Sequence, residues 1–219
     1  MWNLDWSAVA HALPFLWQGL QTSFVLVALA MAGGILLGTM IAVLRLSASR
    51  PVAAMAAGYV NGLRSIPLIM VIFWFYLLVP LFIGRPVGAF ASALIAFTLF
   101  EAAYYSEIMR AGINGISHGQ MAAALAIGMT RPQAYRYVVL PQALRRMMPI
   151  LLTQSIALFQ DSSLVYVIGL HDFMTSIGIV ANREARLVEF YLFATVVYFA
   201  ICFSASRVVK RLQRRIAAV

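Results

Sequence analysis

With 219 residues, 63% of them hydrophobic and 11% charged, and a mean hydropathy of +0.90, the chain is too apolar for a soluble globular domain, where about half of the residues are apolar and about a quarter charged. It reads as an all-α integral membrane protein with one transmembrane domain over 1–219. The formal charge of +9 does not point to nucleic acid, because the basic residues fall in the gaps between apolar runs rather than on one amphipathic helix. His11, His118 and His171 are far apart, so no metal site is expected, and the single Cys202 allows no intrachain disulfide.

Residues 1–15, with Trp2, Trp6 and Pro14 in a mixed pattern, predict a short interfacial segment whose indoles lie at the headgroup level. They carry Asp5 and no Lys or Arg, so no cleavable signal peptide is expected. The first apolar run, Trp17 to Leu44, exceeds the ~20 residues that cross a bilayer, which predicts tilt or overhang. Its Gly34 and Gly38 form a small-xxx-small pair suited to close helix contact, and Arg45, Arg50 and Pro51 end it. The second run covers Ala53 to Ile83, with Gly58 and Gly62 again four apart. The polar step Asn61, Arg64, Ser65 and Pro67 interrupts it, and its membrane core is placed after Pro67. The third run is Val87 to Met109.

The stretch from Ser117 to Pro141 is polar yet helical in pattern. Ser117 with Gln120, and Thr130 with Gln133, have the spacing of capping boxes. Gly128 can close a first short helix in the left-handed conformation, and Pro141 is expected to end a second. The small residues Ala122, Ala123, Ala124 and Ala126 make the first helix a knob that another protein can grip closely; the alternative is a plain connector. A fourth apolar run starts near Met147 and reaches Gly169. The fifth, Glu189 to Val209, ends in Lys210, Arg211, Arg214 and Arg215.

Five spans put the termini on opposite sides. If the loops after spans one and three and the tail are cytoplasmic, they collect thirteen of the 16 basic residues, and only Arg85, Arg183 and Arg186 remain outside. The positive-inside rule then places the N-terminus outside, the tail inside and 117–141 in the cytoplasm.

Three acids fall within spans, where an ionisable group costs at least ~2.5 kcal/mol at the bilayer centre. Glu107 has Arg110 three residues on, which predicts a local ion pair. Glu101 shares a face with Thr98, and Asp161 sits in the polar patch Gln160 to Ser163. Thr98, Glu101, Gln160, Asp161 and Ser163 are therefore the candidate substrate-binding residues, set against the alternative of structural hydrogen bonds between helices. No GxxxxGK[ST], HExxH, GxSxG or CxxC occurs, and the one lysine is in the tail, so the chain is not expected to be an enzyme. Ser162 and Ser163 beside Asp161 have no neighbouring base to make a nucleophile. Five spans are few for a whole pathway, so a dimer or pseudo-dimer is expected.

Ala122-Ala123-Ala124, Gly128 after three residues, then Val138, Leu140 and Pro141 after nine more resemble the EAA loop of membrane subunits of binding-protein-dependent ABC importers. Arg64-Ser65-Ile66-Pro67-Leu68 is similar to the RGTPL-type step of the polar amino acid subfamily. Ala103-Tyr104 through Glu107 to Arg110-Ala111-Gly112-Ile113 is similar to its AYxAEIxRGGI stretch, and Asp161-Ser162-Ser163-Leu164 to its KDTSL stretch. The resemblance runs from about Gln18 to Arg211, and Phe100 to Ile108 and Leu158 to Asp161 most resemble permeases of glutamate/aspartate importers.

That resemblance implies the type I ABC importer permease architecture, with about five transmembrane helices and a cytoplasmic coupling helix, in the bacterial cytoplasmic (inner) membrane. It implies alternating access driven by cytoplasmic ATPase subunits that carry ATP and Mg, with no cofactor on this chain. The other implied partners are a second permease subunit, different or identical, a periplasmic or extracellular solute-binding protein, and an amino acid substrate. The ATPase-coupling residues become Gly119, Gln120, Ala122, Ala123, Ala126, Gly128 and Met129. Two positions depart from the pattern: Ala122 stands where the family has its leading Glu, and Gln160 where many relatives have Lys. No Lys or Arg lies deep in the spans, so residue chemistry alone leaves a neutral or cationic amino acid open beside glutamate and aspartate. A stand-alone oligomeric channel or secondary carrier is the competing class.

Overall fold

The computed structural model describes residues 5–47 and 49–217, with side chains through residue 214. Trp2 and the side chain of Arg215 lie outside the described residues. All regular structure among them is helical. In chain order there are α1 (Ser7–Arg45), α2 (Arg50–Arg64), α3 (Leu68–Ile83), α4 (Ala89–Asn114), α5 (His118–Ala126), α6 (Arg131–Ile168), α7 (Phe173–Arg183) and α8 (Leu187–Ala217). Four of these are long and apolar enough to cross a membrane, and α2 with α3 makes a fifth candidate span broken at 65–67. The break falls where Pro67 was expected to place it: proline disfavours the helical conformation of the residue before it.

Two expectations are corrected. Residues 7–15 do not form a separate interfacial segment; α1 begins at Ser7 and passes through Pro14. Val9, Ala12, Leu16 and Leu20 recur at helical spacing and are all buried, so the gain from their burial outweighs the hydrogen bond that the proline forgoes. Nor does Pro141 end a helix. A π turn at Tyr135–Val139, in which the Leu140 N–H donates to the Tyr135 carbonyl, precedes it, and the helix continues to Asp161 before tightening into a 3-10 turn over Ser162–Ile168. α3 uses the same device at Trp74–Leu78, just before Pro80.

The helices gather into two compact units. The first takes the chain through Ala32, Ile66–Thr98 and Ser155–Arg207. Its core joins the buried face of early α1 to Phe159, Phe173, Ile177 and Phe190. Phe159 stacks on Phe24 at 5.1 Å between ring centroids, and Tyr198 meets both Phe159 and Phe173. Asp172 caps α7, accepting from the backbone N–H groups of Met174 at 3.1 Å and Thr175 at 2.9 Å. Burial pushes its carboxyl above the usual carboxylate range, and those N–H bonds pull the other way. At the start of α8, Arg186 bridges Asp5 and Glu189, each at 3.2 Å.

The second unit takes Gly33–Ser65, Leu99–Gln154 and the chain from Val208. Here α1 lies on α4 through the first glycine pair. A Cβ at Gly34 would stand 3.0 Å from that of Glu101, and one at Gly38 would stand 2.9 Å from the Ala102 carbonyl oxygen. The second pair differs: a Cβ at Gly58 or Gly62 would meet nothing within 4 Å among the described residues.

Candidate functional site

Glu101 is fully buried on α4. Gln154 of α6 donates its Nε2 to both carboxylate oxygens, at 3.1 and 3.2 Å. A primary amide donates to a carboxylate without carrying a charge of its own. Thr98 precedes it by one turn on the same helix and is half-buried. The 53-residue separation of Gln154 from Glu101 left no local signal for the pair.

The 160–163 patch divides by helical angle. Gln160 and Ser163, three apart, line a pocket of about 600 Å³ in the first unit. Ser162 turns inward and donates its hydroxyl to the Phe159 carbonyl at 2.7 Å, and Asp161 is half-buried outside the pocket lining. Opposite Gln160 stand Tyr191, Thr195, Tyr198 and Ser206 of α8. These four recur at steps of three, four and eight, a hydroxyl stripe along one face of the fifth apolar run. Hydropathy averaging hides such a stripe, whereas its periodicity was available in the sequence. Glu101 belongs to the second unit and the pocket to the first.

Glu107, six residues beyond Glu101, is differently placed. Its Oε1 accepts from Arg110 Nη2 at 2.6 Å, and its Oε2 accepts from Arg45 Nη1 at 2.5 Å and from Arg110 Nε at 3.2 Å. Arg64 Nη1 stands 4.0 Å from the same Oε2. The expected pair with Arg110 is present. Arg45 and Arg64 join it because α1 and α2 both end at this level.

In the 117–141 segment, α5 buries Ala124 and leaves Gly119, Gln120, Ala122, Ala123 and Ala126 exposed. Ile127 just beyond is 76% exposed, an apolar side chain presented outward. Gly128, also exposed, has φ of +90° and closes the helix: its N–H donates to the Leu125 carbonyl, and that of half-buried Met129 to the Ala124 carbonyl. The first capping box forms only in part. Ser117 Oγ accepts from the Gly119 N–H at 3.2 Å, while the Gln120 side chain accepts instead from Gln142 Nε2 at 3.2 Å. At the second, the Gln133 side-chain oxygen reaches back to the Thr130 N–H at 2.8 Å as expected. Arg146 holds the Gly115 carbonyl, so the N-terminal end of α5 is tied twice to α6, and the outer face of the helix is exposed.

Residues 34–218 match the family described as "Binding-protein-dependent transport system inner membrane component". The chain is 51% identical to the glutamate/aspartate import permease protein GltK of Escherichia coli O6:H1, over 99% of this chain and 100% of that one. It is 31% identical to the arginine transport system permease protein ArtQ of Bacillus subtilis, over 98% of each. Among solved structures, it superposes with a TM-score of 0.93 and 30% identity on a chain of an amino acid ABC transporter crystallised with histidines, covering 97% of this chain and 99% of that one. A chain of the MetNI methionine ABC transporter, at 20% identity and a TM-score of 0.71 over 90% of this chain and 96% of that one, shares the fold.

Proposed function

This chain belongs to the family of binding-protein-dependent transport system inner membrane components, and on that premise we propose that it is the permease of a glutamate/aspartate importer. The fold is that of type I ABC importer permeases, and the chain is a transport subunit of the bacterial inner membrane rather than an enzyme. A separate ATPase and a solute-binding protein are its partners. Membership in this family sets aside the stand-alone channel or carrier. The observation that carries the substrate assignment is the 51% identity to a glutamate/aspartate permease along the whole chain.

The residues support that reading in three ways. An amino acid brings an α-ammonium, which Glu101 on its neutral Gln154 is suited to receive, with Thr98 one turn away on the same helix. In the pocket of the first unit, taken by itself, the hydroxyls of Ser163 and Thr195 donate to the carbonyls of Gln160 and Tyr191, both at 2.8 Å, while the Gln160 amide and the hydroxyls of Tyr191 and Tyr198 are offered to a carboxylate. These donors serve carboxylates by hydrogen bonding, which meets the absence of a deep cation in the sequence. Asp161, outside the pocket lining, then acts on the substrate only by its field. The exposed face of α5 from Gly119 to Ala126, with Gly128 and half-buried Met129 just beyond it, is the ATPase contact. ATP and Mg reside on the ATPase, and a second, non-identical permease completes the pathway. The N-terminus is outside and the tail cytoplasmic, in line with the thirteen basic residues on that side.

The test is uptake by the full complex in proteoliposomes. Saturable, ATP-dependent aspartate and glutamate uptake is expected, lost in Glu101→Ala with assembly intact. Arginine uptake without aspartate uptake would overturn the substrate, and unchanged uptake in Glu101→Ala would remove that residue from the pathway. Gly128→Asp is expected to abolish ATPase association while leaving membrane insertion intact. With Ala122 in place of the usual Glu, that association should be insensitive to salt.

A further inference from the structure

The second unit holds more positive charge at Glu107 than that carboxylate can use. Arg45 and Arg110 occupy both of its oxygens, while Arg64 stops 4.0 Å short, beyond hydrogen-bond range. Arg64 is nonetheless held in place, its guanidinium 5.1 Å from the centre of the Tyr104 ring and its side chain 38% exposed. Three guanidinium groups against one carboxylate leave two positive charges uncompensated within the cluster.

A crevice of about 430 Å³ opens among the same three helices. Leu37, Ile41 and Leu44 of α1, Met55 and Tyr59 of α2, and Leu99 of α4 are among its walls. Its one polar side chain, Tyr59, donates its hydroxyl to the Leu99 carbonyl at 2.7 Å, so the lining is apolar in effect. Around it Leu36, Met40 and Val43 are 58% to 65% exposed. Each wall leads to the cluster: Arg45 follows Leu44, Arg64 lies five residues past Tyr59, and Glu107 lies eight past Leu99. At 1.5 Å per residue the last two steps are ~7.5 and ~12 Å. These lie within the ~15 Å half-thickness of a hydrocarbon core.

We propose that this crevice and the arginine cluster form a binding site for an anionic phospholipid, its phosphodiester on Arg64 and one acyl chain in the crevice. The charge excess selects the headgroup, since a planar guanidinium fork matches phosphate oxygens and basic pockets between membrane helices take anionic headgroups. The apolar walls select a lipid over a free anion.

The experiment uses the full complex in nanodiscs of phosphatidylcholine with graded phosphatidylglycerol, reading the thermal midpoint and, by native mass spectrometry, the lipid retained. A saturable rise of the midpoint with phosphatidylglycerol is expected. Arg64→Gln, which leaves the Glu107 pairs with Arg45 and Arg110 in place, should weaken the apparent affinity about fivefold, and Arg64→Lys should recover part of it. Ala56→Phe, which fills the crevice without touching an arginine, should lower retention as well; Leu44→Trp serves if that variant does not assemble. Equal retention in wild type and Arg64→Gln would overturn the site. An equal midpoint rise from inorganic phosphate in pure phosphatidylcholine would show a free-anion site instead. If Met55→Cys were unreactive to a maleimide in the complex in pure phosphatidylcholine, the second permease would cover the crevice and the proposal would fail.

Discussion

Glu101 and Glu107 stand on one helix, yet the first is fully buried on a neutral amide and the second, 23% exposed, gathers three guanidinium groups. On the proposed reading, the first is the one that meets the substrate's ammonium. The second, enclosed by arginines, is a structural tie between helix ends. Two acids with the same cost of insertion are thereby given different work by their neighbours.

The sharpest way to break this contrast is Glu107→Ala. Arg45, whose side chain is 9% exposed, would lose its counter-charge, and a stability loss of about 3 kcal/mol is expected in denaturant titration of the detergent-solubilised complex. A variant as stable as wild type would mean that the cluster is not a tie. Next comes Gly34→Val. Its added Cβ would press on Glu101 at 3.0 Å and on the Tyr105 ring at 3.2 Å, so a loss of about 1–3 kcal/mol should accompany impaired aspartate uptake. Normal uptake in that variant would separate the position of Glu101 from transport.

Glu101→Gln keeps the side chain's shape, and its stability is expected to change by less than about 1 kcal/mol while uptake collapses. A stability loss as large as that of Glu107→Ala, with uptake spared, would reverse the two roles. The smallest effect belongs to a third buried carboxylate, Asp172 at the start of α7. Because burial raises its folded-state value, the folded protein binds this proton more tightly than the unfolded chain does. Its contribution is present below the ordinary aspartate range and is lost as pH rises through the raised value. Asp172→Asn, which keeps the cap, should flatten that part of the stability profile; an unchanged profile assigns the dependence to another group.

Local grammar was legible in the residues. The break at Pro67, the left-handed turn at Gly128, the Thr130–Gln133 cap and the pair of Glu107 with Arg110 all involve groups within a few positions of one another. The prolines misled because their cost is local while their compensation is not: Pro14 is carried by a buried face, and Pro141 by a π turn. Helix α7 lies in no predicted apolar run because its 11 residues are too few to cross a bilayer.

Composition, charge placement and periodicity determined on their own that this chain spans a membrane, where its five apolar runs lie, though α1 begins well before Trp17 and α6 well before Met147, and that 117–141 presents a small-residue helix. Each of those rests on the transfer of side chains from water or on hydrogen bonds closed within a few residues. Only the tertiary structure decided which glycine pair meets a neighbour, that Gln154 donates to Glu101, that Arg45 and Arg64 join Glu107, and that a hydroxyl stripe on α8 faces Gln160 and Ser163. Such pairings are set by packing among helices distant in sequence, where many partners satisfy the same local pattern and only the fold selects one.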